Sequence, residues 1–208
     1  MLMRSLSKSS SIVCSALFLA LIPCVAAGQA SKPARVIPTD GEYFGGKSAD
    51  ELAKMVPPAD PKDVVSPKAL VTALHESVNG PAGAWDQRRL LSLCLPHISL
   101  AFPEKDAHGV IRISVVPLDD MVKEVLDGHK KTSWYEKVLV THVTQQANIA
   151  VAYYSGEAGT TPNGKLVERG VSICEMIFDG KRWWIASDIW SDIGKDPWPA
   201  DLDPEKNQ

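Results

Sequence analysis

Val167-Glu168-Arg169-Gly170-Val171-Ser172-Ile173-Cys174-Glu175-Met176-Ile177-Phe178, then Asp179-Gly180, then Lys181-Arg182-Trp183-Trp184-Ile185-Ala186-Ser187-Asp188-Ile189-Trp190 is the stretch whose reading decides the fold. Two long β-prone runs flank an Asp-Gly pair, a pair suited to the positive φ angles of a tight hairpin turn. The second run holds three of the chain's six tryptophans, too much apolar area for an exposed ribbon. This hairpin is therefore the wall of a filled core or of a lined pocket.

Working back from it, the period stays at two. Ser133–Thr144, Ile149–Glu157, Lys165–Phe178 and Arg182–Trp190 read as four consecutive long strands. Their connections are short, which implies antiparallel neighbours. Upstream the period changes to that of helices. Ser66 caps a run with Pro67 at its first position and Leu70, Ala73, Leu74 and Val78 at helical spacing. Asp86 caps a second run over Leu90, Leu91 and Leu93, and Pro117–Leu126 forms a third. Two short strand-like runs, His97–Phe102 and Val110–Val116, lie before the third helix. The layout is α+β: about three helices covering the concave face of a strongly curved antiparallel sheet.

The termini read differently. Arg4 and Lys8 precede an apolar run, Ile12 to Val25, and small residues follow at Ala26, Ala27, Gly28 and Ala30. This is the pattern of a secretory signal over residues 1–30, cleaved after Ala27 or Ala30. The apolar run is shorter than the roughly 20 residues that span a bilayer. Residues 31–65 are a proline-rich flexible leader, with one short helix allowed at Ser48–Met55, where Glu51 follows Ser48 by three. The folded domain covers 66–192, and 193–208 is a flexible tail.

Loss of Arg4 and Lys8 moves the formal charge from −3 to −5. No basic run then exceeds isolated pairs such as Lys130-Lys131 and Lys181-Arg182, which argues against nucleic acid or a membrane as partner. The location expected is outside the cytoplasm, periplasmic or secreted. Of four cysteines, Cys94 and Cys174 remain after processing. They read as buried small hydrophobes, and a disulfide between them stays open. The five histidines show no ligand spacing, so neither a metal nor a cofactor is expected.

Gly80-Pro81-Ala82-Gly83 before Trp85-Asp86, Asn148-Ile149-Ala150, Arg169-Gly170-Val171-Ser172-Ile173, and Gly180-Lys181-Arg182-Trp183-Trp184-Ile185 with Trp190 form a combination. It resembles the nuclear transport factor 2-like superfamily, and within it the SnoaL-like (ketosteroid-isomerase-like) domains, over roughly Ser66 to Asp192. The resemblance implies a cone with an internal cavity, commonly dimeric. It does not imply one function, because that fold hosts isomerases, cyclases, dehydratases and non-catalytic modules. The tyrosine and paired aspartates that mark ketosteroid isomerases are missing, so that activity does not carry over.

An enzyme in such a cavity needs a carboxylate base in apolar surroundings and an oxyanion donor. Asp188, between Trp184 and Trp190 on its strand face, and Glu136 are the catalytic candidates. Arg169, Tyr153, Ser172 and Trp183 are the ligand-binding candidates. The competing reading is structural: ion pairs such as Glu136 or Glu175 with Arg169, and tryptophans that fill the core. The leading expectation is an exported domain binding a small apolar or aromatic molecule. A lyase or isomerase acting on a hydrophobic carbonyl compound, and a non-catalytic module that dimerises, are the alternatives.

Overall fold

The computed structural model describes residues 46–83, 85–162, 164 and 166–207. The expected signal segment and the first part of the leader lie outside them. Four helices and six strands follow in the order α1 (Ala49–Ala53), α2 (Pro67–Ser77), α3 (Arg88–Leu93), β1 (Ser99–Lys105), β2 (Ile111–Pro117), α4 (Leu118–His129), β3 (Tyr135–Gln146), β4 (Ile149–Gly159), β5 (Leu166–Phe178) and β6 (Trp183–Asp192).

Local signals account for the helix starts. Ser48 and Glu51 form the reciprocal capping box that opens α1. Ser66 accepts from the Ala69 amide, with Pro67 just inside α2. Asp86 does not cap α3 by its side chain, since the N-cap is Gln87; its carboxylate instead accepts from the Arg88 amide and guanidinium.

The strands make one curved, unclosed sheet in the order β2-β1-β6-β5-β4-β3. The expectation of an all-antiparallel sheet is corrected at one seam. β1 runs parallel to β6 through Leu100–Asp188 and Ala101–Ile189, so the sheet is mixed. The chain reaches this seam by crossing from the α2–α3 layer, and β6 returns to it at the end of the meander. All other neighbours are antiparallel.

The Asp179-Gly180 corner is also built differently from a two-residue hairpin. Gly180 has φ +96° while Asp179 is not left-handed. The Asp179 carboxylate accepts from the Lys181 and Arg182 amides at 2.7 and 2.8 Å, closing a wider turn through its side chain.

Alternation sorts the sheet into two faces. On the inner face Ala150, Ala152 and Tyr154 of β4 and Ser172, Cys174 and Met176 of β5 are buried beneath Leu70, Val71, Leu93, Leu118 and Val122 of the helices. On the outer face Ile149, Ile173 and Ile177 are exposed. Cys94 and Cys174 are both buried and free.

Both flanks of the 66–192 domain contribute contacts. Before it, Val64 joins the core and its carbonyl accepts from the Trp183 amide, while Asp63 is buried against Arg89 at 2.8 Å. After it, the segment expected to be flexible places Leu202 against the outer face with no exposed surface.

Candidate functional site

One irregularity decides which side chains of β6 face inward. Glu175 pairs with Ser187 but Met176 pairs with Ile185, so a bulge at Ala186 inserts an extra residue. Strict alternation would put Asp188 with Trp184 and Trp190. The bulge breaks that grouping: Trp183, Ile185, Asp188 and Trp190 pair with the inward Phe178, Met176, Cys174 and Ser172. Trp184 falls outside the core cluster, where its indole N–H donates to Asp179 at 2.6 Å and Arg182 lies 3.5 Å over its ring.

Asp188 is thus brought into the interior. Tyr154 donates its hydroxyl to Asp188 Oδ1 at 3.0 Å. Burial pushes the carboxyl up to about 7, against the opposing pull of His75 and of the Tyr154 hydrogen bond. Burial, reinforced by Asp188, also holds the Tyr154 phenol well above its ordinary value, so it remains a neutral donor.

His75 links this interior pair to the surface. Val71 is buried on α2, and His75 lies one helical turn further along the same stripe. Its ring meets Tyr154 edge-on at 5.2 Å between centroids. Its Nδ1 lies 2.6 Å from Glu136 Oε2, and its Nε2 is buried without a hydrogen-bond partner among the described residues. The second oxygen of Glu136 accepts from the Trp134 indole at 2.8 Å. Burial alone would lower the imidazole, but the hydrogen bond and charge of Glu136 outweigh it and raise His75 above its ordinary value. Burial alone would raise Glu136; the same hydrogen bond and charge, with Trp134, bring it below its ordinary value. The pair is therefore an imidazolium–carboxylate ion pair in mildly acidic solution. With side chains only 17% and 26% exposed, it is shielded from most solvent screening.

Asn79 fixes Glu136 in place. Its amide N–H donates to the Glu136 carbonyl at 3.0 Å, and its carbonyl accepts from the Glu136 amide at 2.6 Å. The side chain thereby acts as a strand partner at the edge of β3. The next rung is real backbone, Gly80 with Trp134 at 2.9 and 3.0 Å.

A cleft of about 350 Å³ opens between α2 and β3, lined among others by Lys68, Thr72, His75, Glu136, Lys137 and Thr141. Val138, Leu139 and Pro162 supply an apolar side. Lys68, Lys137, Tyr135 and Thr141 make no side-chain hydrogen bond or ion pair among the described residues. Asp188 does not line this cleft; it lies behind Tyr154 and His75.

Of the residues read from sequence, Glu136 is in the cleft, paired with His75 rather than Arg169. Asp188 and Ser172 are buried on the inner face, and Trp183 is part of the core cluster. Arg169 and Tyr153 lie on the outer face: Arg169 stacks on Trp198 at 4.3 Å, and Tyr153 pairs with His142 and Ile173. Arg169 and Ser172 therefore cannot share one pocket. Glu175 accepts from Ser187 at 2.7 Å instead of pairing with Arg169. Among the described residues no cluster of three His, Cys, Asp or Glu side chains is placed to hold a metal.

His75, Tyr154, Asn79 and Trp134 are the participants that sequence reading missed. Two signals for them exist. The Val71–His75 spacing puts the histidine on a buried stripe, and Ala150 and Ala152 mark the β4 face that has room for Tyr154 rather than Tyr153.

No protein-family model matches the sequence, and no curated protein does. Solved structures similar to the chain include three with low identity. One is a protein of unknown function with a cystatin-like fold from Nostoc punctiforme, 8% identical over 62% of this chain and 90% of that one, TM-score 0.48. A candidate dehydratase of the nuclear transport factor 2-like family from Streptomyces avermitilis is 16% identical over 64% and 96%, TM-score 0.46. A nuclear transport factor 2-like protein of unknown function from Pseudomonas putida is 10% identical over 60% and 82%, TM-score 0.45.

Proposed function

We propose that the chain is a binding domain for a small molecule that enters the cleft between α2 and β3, with the His75–Glu136 ion pair at its wall. The observation that carries this reading is the cleft itself: about 350 Å³ of mixed polar and apolar lining beside a shielded charge pair. Small-molecule sites run from roughly 300 to 1,000 Å³ and combine apolar walls with a few placed polar groups. The lining favours a partly apolar ligand that accepts hydrogen bonds, since Lys68, Lys137 and Tyr135 offer donors that nothing else in the described structure uses. A fully apolar ligand would leave these groups without partners.

The catalytic alternative has less support. Asp188 has a base-like proton affinity but is walled off from the cleft, and both oxygens of Glu136 are engaged. Thr72→Trp, which fills the cleft from an exposed helix position, tests the binding reading. In a thermal-shift screen of small organic acids, amides and alcohols, compounds that raise the melting temperature of the wild type should leave the variant unmoved. Equal shifts in both proteins would place binding elsewhere.

A second copy of the chain is a second expected partner. Ile113, Val115, Ile149, Ile173, Ile177 and Ile189 are 41–69% exposed on the outer face, and continuous apolar area of this kind marks association surfaces. The amino-terminal pattern further supports export, which N-terminal sequencing of the mature protein tests: a chain beginning at Gly28 or Ser31 is expected, and one beginning at Met1 would refute it.

A further inference from the structure

The outer face carries a second construction, independent of the cleft. Beyond β6 the chain leaves the sheet at Ile193, whose amide still donates to the Arg169 carbonyl at 2.8 Å, and turns at Gly194 with φ +53°. From there to Leu202 it forms neither helix nor strand, and side chains of the sheet capture its backbone. Arg169 donates from one guanidinium nitrogen to the carbonyls of Gly194 and Asp196 at 3.2 and 3.3 Å. Nε2 of His142 meets the Asp201 carbonyl at 2.6 Å, and the buried Ser155 hydroxyl donates to the Leu202 carbonyl at 2.9 Å.

Two apolar anchors complete the clamp. Trp198 lies under Arg169 at 4.3 Å, a cation–π distance. Leu202, four residues on, is fully buried where Val140 and Ser155 face each other across β3 and β4. Both anchors lie outside the main core cluster. The segment also holds its own shape: Pro197 and Pro199 restrict it, and Leu202 donates back to the Pro199 carbonyl at 2.9 Å. Backbone capture from a sheet face, plus a pair of spaced anchors, is the chemistry of a peptide-recognition groove. The Ser155 hydroxyl, bonded to the Leu202 carbonyl, exchanges that partner for water when the segment leaves.

We propose that the groove formed by Val140, His142, Ser155 and Arg169 is an exchangeable peptide-binding site, filled in cis by Asp196–Leu202 and open to the same segment of a second copy of this chain. A short tether gives the cis segment an effective concentration on the order of millimolar. Exchange between wild-type chains is therefore suppressed in dilute solution and rises when two outer faces meet. Exposed Ile173 and Ile189 lie on that same face, so an encounter of two chains there brings each tail beside the other's groove.

The test uses full-length protein and a fluorescein-labelled synthetic peptide of residues 194–208, read by anisotropy. Leu202→Asp, which removes the cis anchor, is expected to bind the peptide at least tenfold more tightly than wild type. Adding Arg169→Gln to that variant should weaken binding at least fivefold. Equal affinity of wild type and Leu202→Asp would overturn the proposal, because the peptide would then be bound elsewhere. No binding by a Leu202→Asp chain that keeps its circular dichroism and unfolding transition would overturn it too, since the groove would not exist without its own tail. Should Leu202→Asp fail to fold, Trp198→Ala takes its place with the same expectations. Loss of folding in both would show the segment to be a fixed part of the core, which also refutes exchange.

Discussion

Asp188 and Tyr154 sit where a packed interior has no reason to keep charge, and the cost shows up as a pH dependence with a definite sign. The carboxyl's native value of about 7 lies above its unfolded value of about 3.8, so the folded protein holds the proton more tightly. Its contribution to stability is complete below about pH 4 and is lost as pH rises to about 7. Asp188→Asn cannot ionise and escapes that loss. The stability difference between variant and wild type should therefore swing by up to about 4 kcal/mol in the variant's favour from pH 4 to 8, measured by urea unfolding. A pH-independent difference would show that Asp188 is not buried as described.

His75 and Glu136 bracket a different window. The raised imidazole stabilises the fold below about pH 6.5 and loses that effect as pH climbs through its native value. The lowered carboxyl stabilises it above about pH 4.5 and loses that effect as pH falls through its native value. Together they act best between those limits. Glu136→Gln should cost about 2 kcal/mol near pH 5.5 and much less at pH 8. The His75 imidazole, followed by NMR titration, should drop at the same time; an unmoved titration would separate the two residues.

Among the elements, β6 is the one whose irregularity carries weight. The bulge at Ala186 lets Trp183 and Ile185 face inward together with Asp188 and Trp190, whose ring stacks on Phe102 at 4.5 Å. Deleting Ala186 makes Ser187 follow Ile185 directly, so the regular ladder is restored with Asp188 and Trp190 still facing inward. The deletion variant should therefore keep a near-ultraviolet circular dichroism spectrum close to that of the wild type and a cooperative unfolding transition. Loss of that spectrum would show that Asp188 and Trp190 do not hold their inward positions by the extra residue alone. The α2–β3 seam is held differently: Asn79 completes the edge of β3 from the end of a helix, and so the ion pair and the cleft share one support.

For the whole molecule, the decisive asymmetry is between the two faces of the sheet. The inner face is closed by α2, α3 and α4, while the outer face is covered at one end by residues 194–202 and elsewhere exposes aliphatic side chains such as Ile173 and Ile189. Ile173→Lys with Ile189→Lys puts two charges into the uncovered strip without touching the core. Light scattering should read a dimer for the wild type and a monomer for this variant, at nearly unchanged melting temperature. The same mass for both would remove the outer face as the association surface.

Periodicity alone determined the element order of this chain, because hydrophobic alternation and helix caps are local. The long strands Ile149–Glu157 and Lys165–Phe178, the Ser66-Pro67 start and the Ser48–Glu51 box are all written within a few residues of where they act. The site was only partly legible. Glu136 was visible as a carboxylate among aromatics, yet its partner His75 is 61 positions away and no local pattern couples them. A single inserted residue in β6 regrouped the side chains around Asp188, which no period-two count can register. The parallel β1–β6 seam, the outer placement of Arg169 and the burial of Leu202 likewise arose only on folding. Strand pattern fixes which residues alternate, but which face becomes the interior, and what lies against it, is settled by how distant segments dock.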